Sequence, residues 1–246
     1  MTRTNQLLSD GPLQDIDLDV LSDIQRDLVL RLQHVWVDFI DEMHATPIIA
    51  KIIRQTIDPE DYLLLLKDLR QQVIRGVNWI TRAASSMDAS ASPLHAMIRK
   101  TFAKHATAEE GDFQLLESDF VACGGQRTDI IQGKMNIGSV ALDAYIMHEA
   151  SRSNPIHLLG TIFIIEGLGK IKAGQWGRMI QETLSLKDES VRFMVYHGEA
   201  DQAHTSVIHQ LIRTPLITPE FCDAMVRCAK TTAMLYANQY RMMGIY

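Results

Sequence analysis

The chain has 246 residues, a formal net charge of -6, and 46% hydrophobic against 22% charged residues. This composition is typical of a globular protein that buries a sizeable core. The acidic balance argues against nucleic acid or an anionic membrane as a partner, because both repel negative charge. The three cysteines have no paired spacing, and no secretory leader or membrane-spanning run is recognisable. We therefore expect a soluble, cytoplasmic protein.

The chain is expected to consist of a polar lead-in, residues 1–18, and a single helical domain, residues 19–246. From about Asp19 to His44 the apolar residues recur at intervals of three and four, which is typical of a long amphipathic helix. Asp58 and Pro59 provide a cap and a first helical residue for another long helix. No strand-like alternation persists. The sequence predicts an all-α fold of seven or eight helices.

Further helix boundaries follow from prolines, glycines and capping residues. Asp188 is expected to cap the helix that carries residues 197–204, and Thr218 to cap the last helix. Glycines at 160, 167, 169 and 174 predict a bend, a break or close packing in the segment that follows Pro155. After the first helix, the predicted helices cover residues 47–55, 59–86, 93–121, 136–151, a segment from 155 onward, 188–214 and 219–242.

The strongest functional signal is the stretch from Tyr196 to His204. His197, Asp201 and His204 stand at i, i+4 and i+7, so an α-helix places them on one face. Two imidazoles and a carboxylate form a ligand set suited to iron, zinc or manganese. On spacing alone, the polar face of a surface helix is an equal alternative.

A second stretch repeats this spacing almost a hundred residues earlier. His105, Glu109 and Asp112 also stand at i, i+4 and i+7 on a predicted helix. Glu110 and Glu117 lie nearby, so a solvated acidic face competes with a metal-binding one. The repetition of imidazole and carboxylate at the same spacing favours metal ligands.

Glu166 lies between these two stretches, immediately after the apolar run 162–165. A carboxylate in such surroundings is costly to bury unless it is paired or binds a metal. Three helices that each direct carboxylate or imidazole inward follow the general plan of di-metal carboxylate proteins. We therefore predict a metal site formed by Glu166, His197, Asp201, His204, His105, Glu109 and Asp112.

The motif His197-Gly-Glu-Ala-Asp201-x-x-His204, with Glu166 about thirty residues upstream, resembles the haem-oxygenase-like di-iron oxidases. That group is related to thiaminase-like and pyrroloquinoline-quinone-synthase-like proteins. The resemblance covers most of the chain and implies a haem-oxygenase-like bundle of seven to eight helices. It also implies two Fe(II) ions per chain, with Mn as an alternative metal.

The earlier ligand helix departs from the family pattern. The family usually places a glutamate there and a histidine seven residues later, whereas this chain has His105 and Asp112 at that separation. Glu109 provides a carboxylate three residues before Asp112. Four states of the second metal position stay open: filled, weak, occupied by another metal, or empty. We expect Glu166 to bridge the two metals.

The resemblance implies a metal-dependent oxidoreductase that activates dioxygen to oxidise a small organic substrate. Two alternatives remain at this stage: a metal-independent thiaminase-like or quinone-synthase-like enzyme, and a non-catalytic binding protein of the same fold. The expected partners are the substrate and dioxygen, with a homodimer among the oligomeric states left open. The substrate itself cannot be identified from the sequence.

Overall fold

A computed structural model describes residues 11–204 and 206–246, apart from the side chains of residues 199–204, 206 and 207. Every α-helix or shorter helical turn in this part of the chain is joined to the next without an intervening strand. The predicted all-α class is therefore confirmed. The helices number more than the seven or eight expected, because several predicted segments are interrupted.

Twelve α-helices follow one another in the described residues. They are α1 (Asp23–His44), α2 (Pro47–Ile53), α3 (Pro59–Ser85), α4 (Pro93–Ala108), α5 (Phe113–Ala122), α6 (Arg127–Ile131), α7 (Ile137–Ala150), α8 (Leu159–Leu168), α9 (Gly174–Leu184), α10 (Arg192–His204), α11 (Ser206–Arg213) and α12 (Pro219–Arg241). A π-helical turn, Gly169–Ala173, connects α8 to α9, and 3-10 turns cover Leu18–Val20, Ile156–Leu158 and Asp188–Ser190.

Local capping explains where the longest helices begin. The Asp61 N–H donates to the Asp58 carboxylate at 2.9 Å, and Asp61 in turn accepts from the Asp58 N–H. The Phe221 N–H donates to the Thr218 hydroxyl at 3.3 Å. Both helices have proline at the first helical position, where a missing N–H costs nothing. The predicted starts of α3 and α12 are confirmed.

Helix α12 packs against α1, α7 and α8 and so forms the centre of the bundle. Aromatic rings of Trp36, Phe39 and Tyr236 meet edge to face at this junction. At Gly160 in α8, an added Cβ would lie 2.3 Å from the Met225 carbonyl oxygen. Glycine is therefore needed here for close packing of α8 on α12, as the sequence predicted.

The predicted continuous helix 93–121 is wrong. Helix α4 ends at Ala108, a turn covers residues 109–112, and α5 begins at Phe113. Gly111 has φ +97°, a left-handed conformation that ends a helix and that glycine adopts readily. Glu109 keeps its i, i+4 relation to His105 at the end of α4, but Asp112 lies beyond the turn, so the three side chains do not share one helical face.

The lead-in also differs in part from the prediction for residues 1–18. Leu13 is fully buried and Ile16 is 5% exposed, and both belong to the hydrophobic core. The Pro12 carbonyl lies 3.0 Å from His209 Nε2. In the described part of this segment, apolar residues at three-residue spacing attach it to the bundle.

None of the described helices combines the length with the apolarity that a bilayer crossing demands.

Candidate metal centre

The first half of the candidate site lies where α4 ends. His105 is 6% exposed, and its Nε2 lies 3.2 Å from Glu109 Oε1 and 3.2 Å from Glu166 Oε1. Glu109 is the residue that caps α4, four positions after His105, and its N–H donates to the His105 carbonyl oxygen, while α8 supplies Glu166. These three side chains have ligand atoms within 4.8 Å of one another, close enough for a single metal ion.

The charge of His105 is controlled by these two carboxylates. Burial lowers the pKa of the imidazole, but hydrogen bonds to Glu109 and Glu166, with their negative charge, outweigh it and raise the pKa to about 9. These carboxylates thus favour the protonated form of the imidazole. Because a metal ion binds the neutral imidazole, binding at this point would release that proton.

The second half of the site joins α5 to α10. His197 Nε2 lies 3.2 Å from Asp112 Oδ2, and the ligand atoms of Glu109, Asp112 and His197 lie within 4.8 Å of one another. His197 Nδ1 is 2.8 Å from the Phe193 carbonyl oxygen. Because a carbonyl oxygen only accepts, Nδ1 carries the proton and Nε2 is left to face the carboxylates.

Glu109 belongs to both halves and is the carboxylate that connects them among the described residues. Among the described side chains, Glu166 groups with His105 and Glu109, and the turn at Gly111 places Asp112 beside His197. The bridging role expected of Glu166 stays a prediction.

The predicted ligands Asp201 and His204 lie within α10, but their side chains are outside the described residues. Their assignment as metal ligands stays a prediction.

Helix α10 is capped from another helix, so the predicted cap at Asp188 is wrong. Asp119 in α5 is completely buried, and its Oδ2 accepts a 2.8 Å hydrogen bond from the Phe193 N–H. Asp119 Oδ1 lies 3.5 Å from Arg192 Nε. Asp188 instead accepts a hydrogen bond from Gln181 and forms an ion pair with Arg178, both on α9. A buried carboxylate thus compensates the positive end of α10.

Asp119 also connects the cap to the candidate ligand. Phe193 donates its N–H to Asp119 and accepts the Nδ1 proton of His197 at its carbonyl. Burial raises the pKa of Asp119 to about 6, against the opposing influence of the Phe193 N–H and Arg192. Helix α5 therefore positions both residues of the second half. Asp112 lies directly before its first residue, and Asp119 orients His197 through Phe193.

The acidic face proposed as an alternative does not extend to Glu117. Its side chain is 4% exposed, and its two oxygens lie 2.9 Å from Arg70 and 2.9 Å from Arg127. This buried pair attaches α5 to α3. The roles of Glu117 and Asp119 were not predicted from the sequence, although apolar neighbours such as Leu116 and Phe120 give the same signal that identified Glu166.

A cavity of about 100 Å³ opens beside the two halves of the site. Glu109, Glu166 and His197 form its polar side. The first residue of the π-helical turn, Gly169, also lines it, and such turns occur frequently at functional sites. The remaining wall is mainly apolar and aromatic, and includes Val73, Trp79, Ile80, Ile165, Leu168 and Trp176.

The donor set fits a non-haem divalent metal. Two imidazoles and three carboxylates converge on a partly buried position, a combination that suits Fe(II) and Mn(II). Zinc would also bind such groups but has no redox chemistry. The chemistry of these side chains therefore agrees with the predicted iron cofactor.

Solved structures with the same fold are found by comparison. A domain of unknown function with a haem-oxygenase-like fold from Shewanella denitrificans has a TM-score of 0.75 at 19% identity, covering 85% of this chain and 88% of that chain. A TenA homologue from Pseudomonas syringae has a TM-score of 0.73 at 10% identity, covering 93% and 95%.

Haem oxygenase 1 from the cyanobacterium Synechocystis, solved in complex with haem, has a TM-score of 0.66 at 13% identity, covering 88% of this chain and 92% of that chain. No family model and no curated protein sequence matches the chain. At these identities the likeness establishes the fold, which is haem-oxygenase-like and shared with TenA homologues.

Proposed function

We propose that this protein is a non-haem iron oxidase or oxygenase that binds two Fe(II) ions and uses dioxygen to oxidise a small organic substrate. The observation that carries the proposal is the pair of histidine–carboxylate groups that share Glu109 at the wall of an apolar cavity. Carboxylate-rich sites of this kind inside helical bundles bind paired metal ions. The haem-oxygenase-like fold is compatible with this assignment.

Each half of the site has its own residues to hold one ion. His105, Glu109 and Glu166 would hold the first, and Glu109, Asp112 and His197 the second. Asp201 and His204 are proposed as additional ligands. Ferrous ions bound there would supply the electrons that dioxygen requires, which side chains do not provide.

The protein itself contributes position and exclusion of water. The Phe193 carbonyl holds His197 in the tautomer that exposes Nε2 to the site. The apolar wall holds a substrate next to Glu109, Glu166 and His197 and limits the number of water molecules that reach them. The apolar wall and the metal ligands thus lie side by side. No described lining residue is a lysine or an arginine.

Anaerobic titration with Fe(II), followed by mixing with oxygenated buffer, tests the proposal. We expect saturation at two irons per chain and iron-dependent consumption of dioxygen. Mn(II) should compete for the same positions, because it prefers the same donors. Saturation at one iron, without oxygen consumption, would refute the di-iron oxidase.

The two halves of the site should also be separable by mutation. His105→Ala removes a ligand from one half and His197→Ala from the other, so each should lower the iron stoichiometry from two to one. Asp112→Ala should resemble His197→Ala, since the two side chains lie 3.2 Å apart. Iron analysis of the purified variants distinguishes these outcomes.

A metal-independent enzyme is the second candidate. The observation in its favour is that His105 Nε2 lies 3.2 Å from both Glu109 and Glu166, so these three side chains can share a proton. Such a network could transfer protons at the cavity wall. Under this alternative, the same titration would find no stoichiometric iron, whereas small organic ligands would still bind.

A further inference from the structure

One face of α3 forms a wall of the cavity. Leu69, Gln72, Val73, Gly76 and Ile80 line it, and their spacing of three and four residues is that of a single helical face. Every side chain on this face reduces the space available to a ligand. Gly76 lies in the middle of the wall and contributes no side chain.

The backbone does not require glycine at position 76. The residue lies in the interior of a regular α-helix, and a Cβ added there would meet no atom within 4 Å. Gly160 is the opposite case, since the backbone of α12 excludes a Cβ there. Glycine in a helix interior is less stable than alanine. Its presence at position 76 is therefore explained by the space it leaves in the cavity.

The charges around the cavity restrict what fills it. Among the described lining residues none is lysine or arginine. The carboxylates and the imidazole, Glu109, Glu166 and His197, lie on the polar side, and Tyr236 and Tyr240 add phenol groups. An anionic group placed against the opposite wall would lose its hydration without gaining a cationic partner, which is costly. The volume, about 100 Å³, is smaller than the roughly 150 Å³ of a cavity that binds benzene, so this partly open chamber takes no more than one small ring.

We propose that Gly76 sets the depth of the substrate chamber, and that the substrate presents an uncharged, mainly apolar group, such as an aromatic ring, to this wall. That the bound ligand is a substrate rests on the proposed function. The occupancy of the chamber does not depend on iron or dioxygen, so binding tests it separately.

The test measures binding of benzene, indole and benzoate to the full-length protein by isothermal titration calorimetry, with and without Fe(II). Wild type is compared with Gly76→Ala, Gly76→Leu and Asn78→Ala. Asn78 is exposed on the same helix and serves as the control for helix propensity. Indole and benzene should bind the wild-type protein, and benzoate should bind at least tenfold more weakly than benzene in the metal-free protein.

Gly76→Leu should weaken indole binding at least tenfold and benzene binding less, because leucine shortens the chamber. Gly76→Ala should raise the melting temperature by about 2–4 °C, since alanine favours the helix. It should still weaken indole binding. Asn78→Ala should leave all three affinities unchanged. If Gly76→Leu does not fold, the indole affinity of Gly76→Ala tests the role of Gly76.

Unchanged indole affinity in both folded Gly76 variants would overturn the role of Gly76. Failure of wild type to bind either neutral probe, or equal binding of benzoate and benzene, would overturn the proposed ligand class. Normal probe binding by a protein that takes up no iron would support this inference and refute only the di-iron oxidase.

Discussion

Glu109→Ala should abolish binding of both irons, whereas the loss of either histidine should remove one. The reason is geometric, because Glu109 is the carboxylate common to the group with His105 and the group with His197. A bridging carboxylate also holds two metal ions at the separation of about 3.5–4 Å usual for paired sites. Iron content after anaerobic loading and gel filtration is the measurement, with dioxygen consumption as a second readout.

The adjacent residue offers a matched control. Glu110 has the same side chain but is exposed, and it belongs to neither group. Glu110→Ala should therefore keep two irons and full oxygen consumption. Glu109→Gln keeps the size of the side chain but removes its charge, so it should weaken both positions. Retention of one tightly bound iron by Glu109→Ala would show that the two positions do not share this carboxylate.

Asp119→Ala should destabilise the protein by about 2–4 kcal/mol, the combined cost expected for a lost helix cap and a buried N–H without a partner. The carboxylate is completely buried and accepts the Phe193 N–H at 2.8 Å. Because Phe193 also orients His197, the variant should lose the iron of that half more readily than the other. Urea unfolding and iron analysis measure the two effects.

Asp188→Ala is the control for this prediction. Asp188 lies next to the start of α10 and is exposed, so its loss should change the free energy of unfolding by no more than about 0.5 kcal/mol. If Asp188→Ala were the more damaging of the two, the cap of α10 would be local and the role of Asp119 refuted.

The stability contributed by Asp119 should depend on pH in a defined direction. Its pKa is raised to about 6 in the folded protein, above the value of about 3.9 for an exposed aspartate. Between these values the folded protein retains a proton that the unfolded chain has released. The contribution is therefore complete below about pH 4 and is lost as the pH rises through 6. Asp119→Asn cannot titrate, so wild type should lose stability relative to this variant between pH 4 and 7.

The sequence by itself determined the helical class and the starts of the main helices. Caps such as Asp58 and Thr218 act on N–H groups three residues away, so the information lies within one turn of the chain. Apolar spacing identified the buried faces for the same reason. Glu166 could be recognised because its immediate neighbours are apolar, and the structure confirms that it is 7% exposed.

The tertiary structure decided how the site is assembled. Asp112 follows the turn at Gly111, and its partner His197 is supplied by α10, far away in the chain. The cap of α10 comes from Asp119, 74 positions away. Such contacts link residues that are far apart in the chain. Their energy depends on burial and on partners supplied by other helices, which local spacing does not contain.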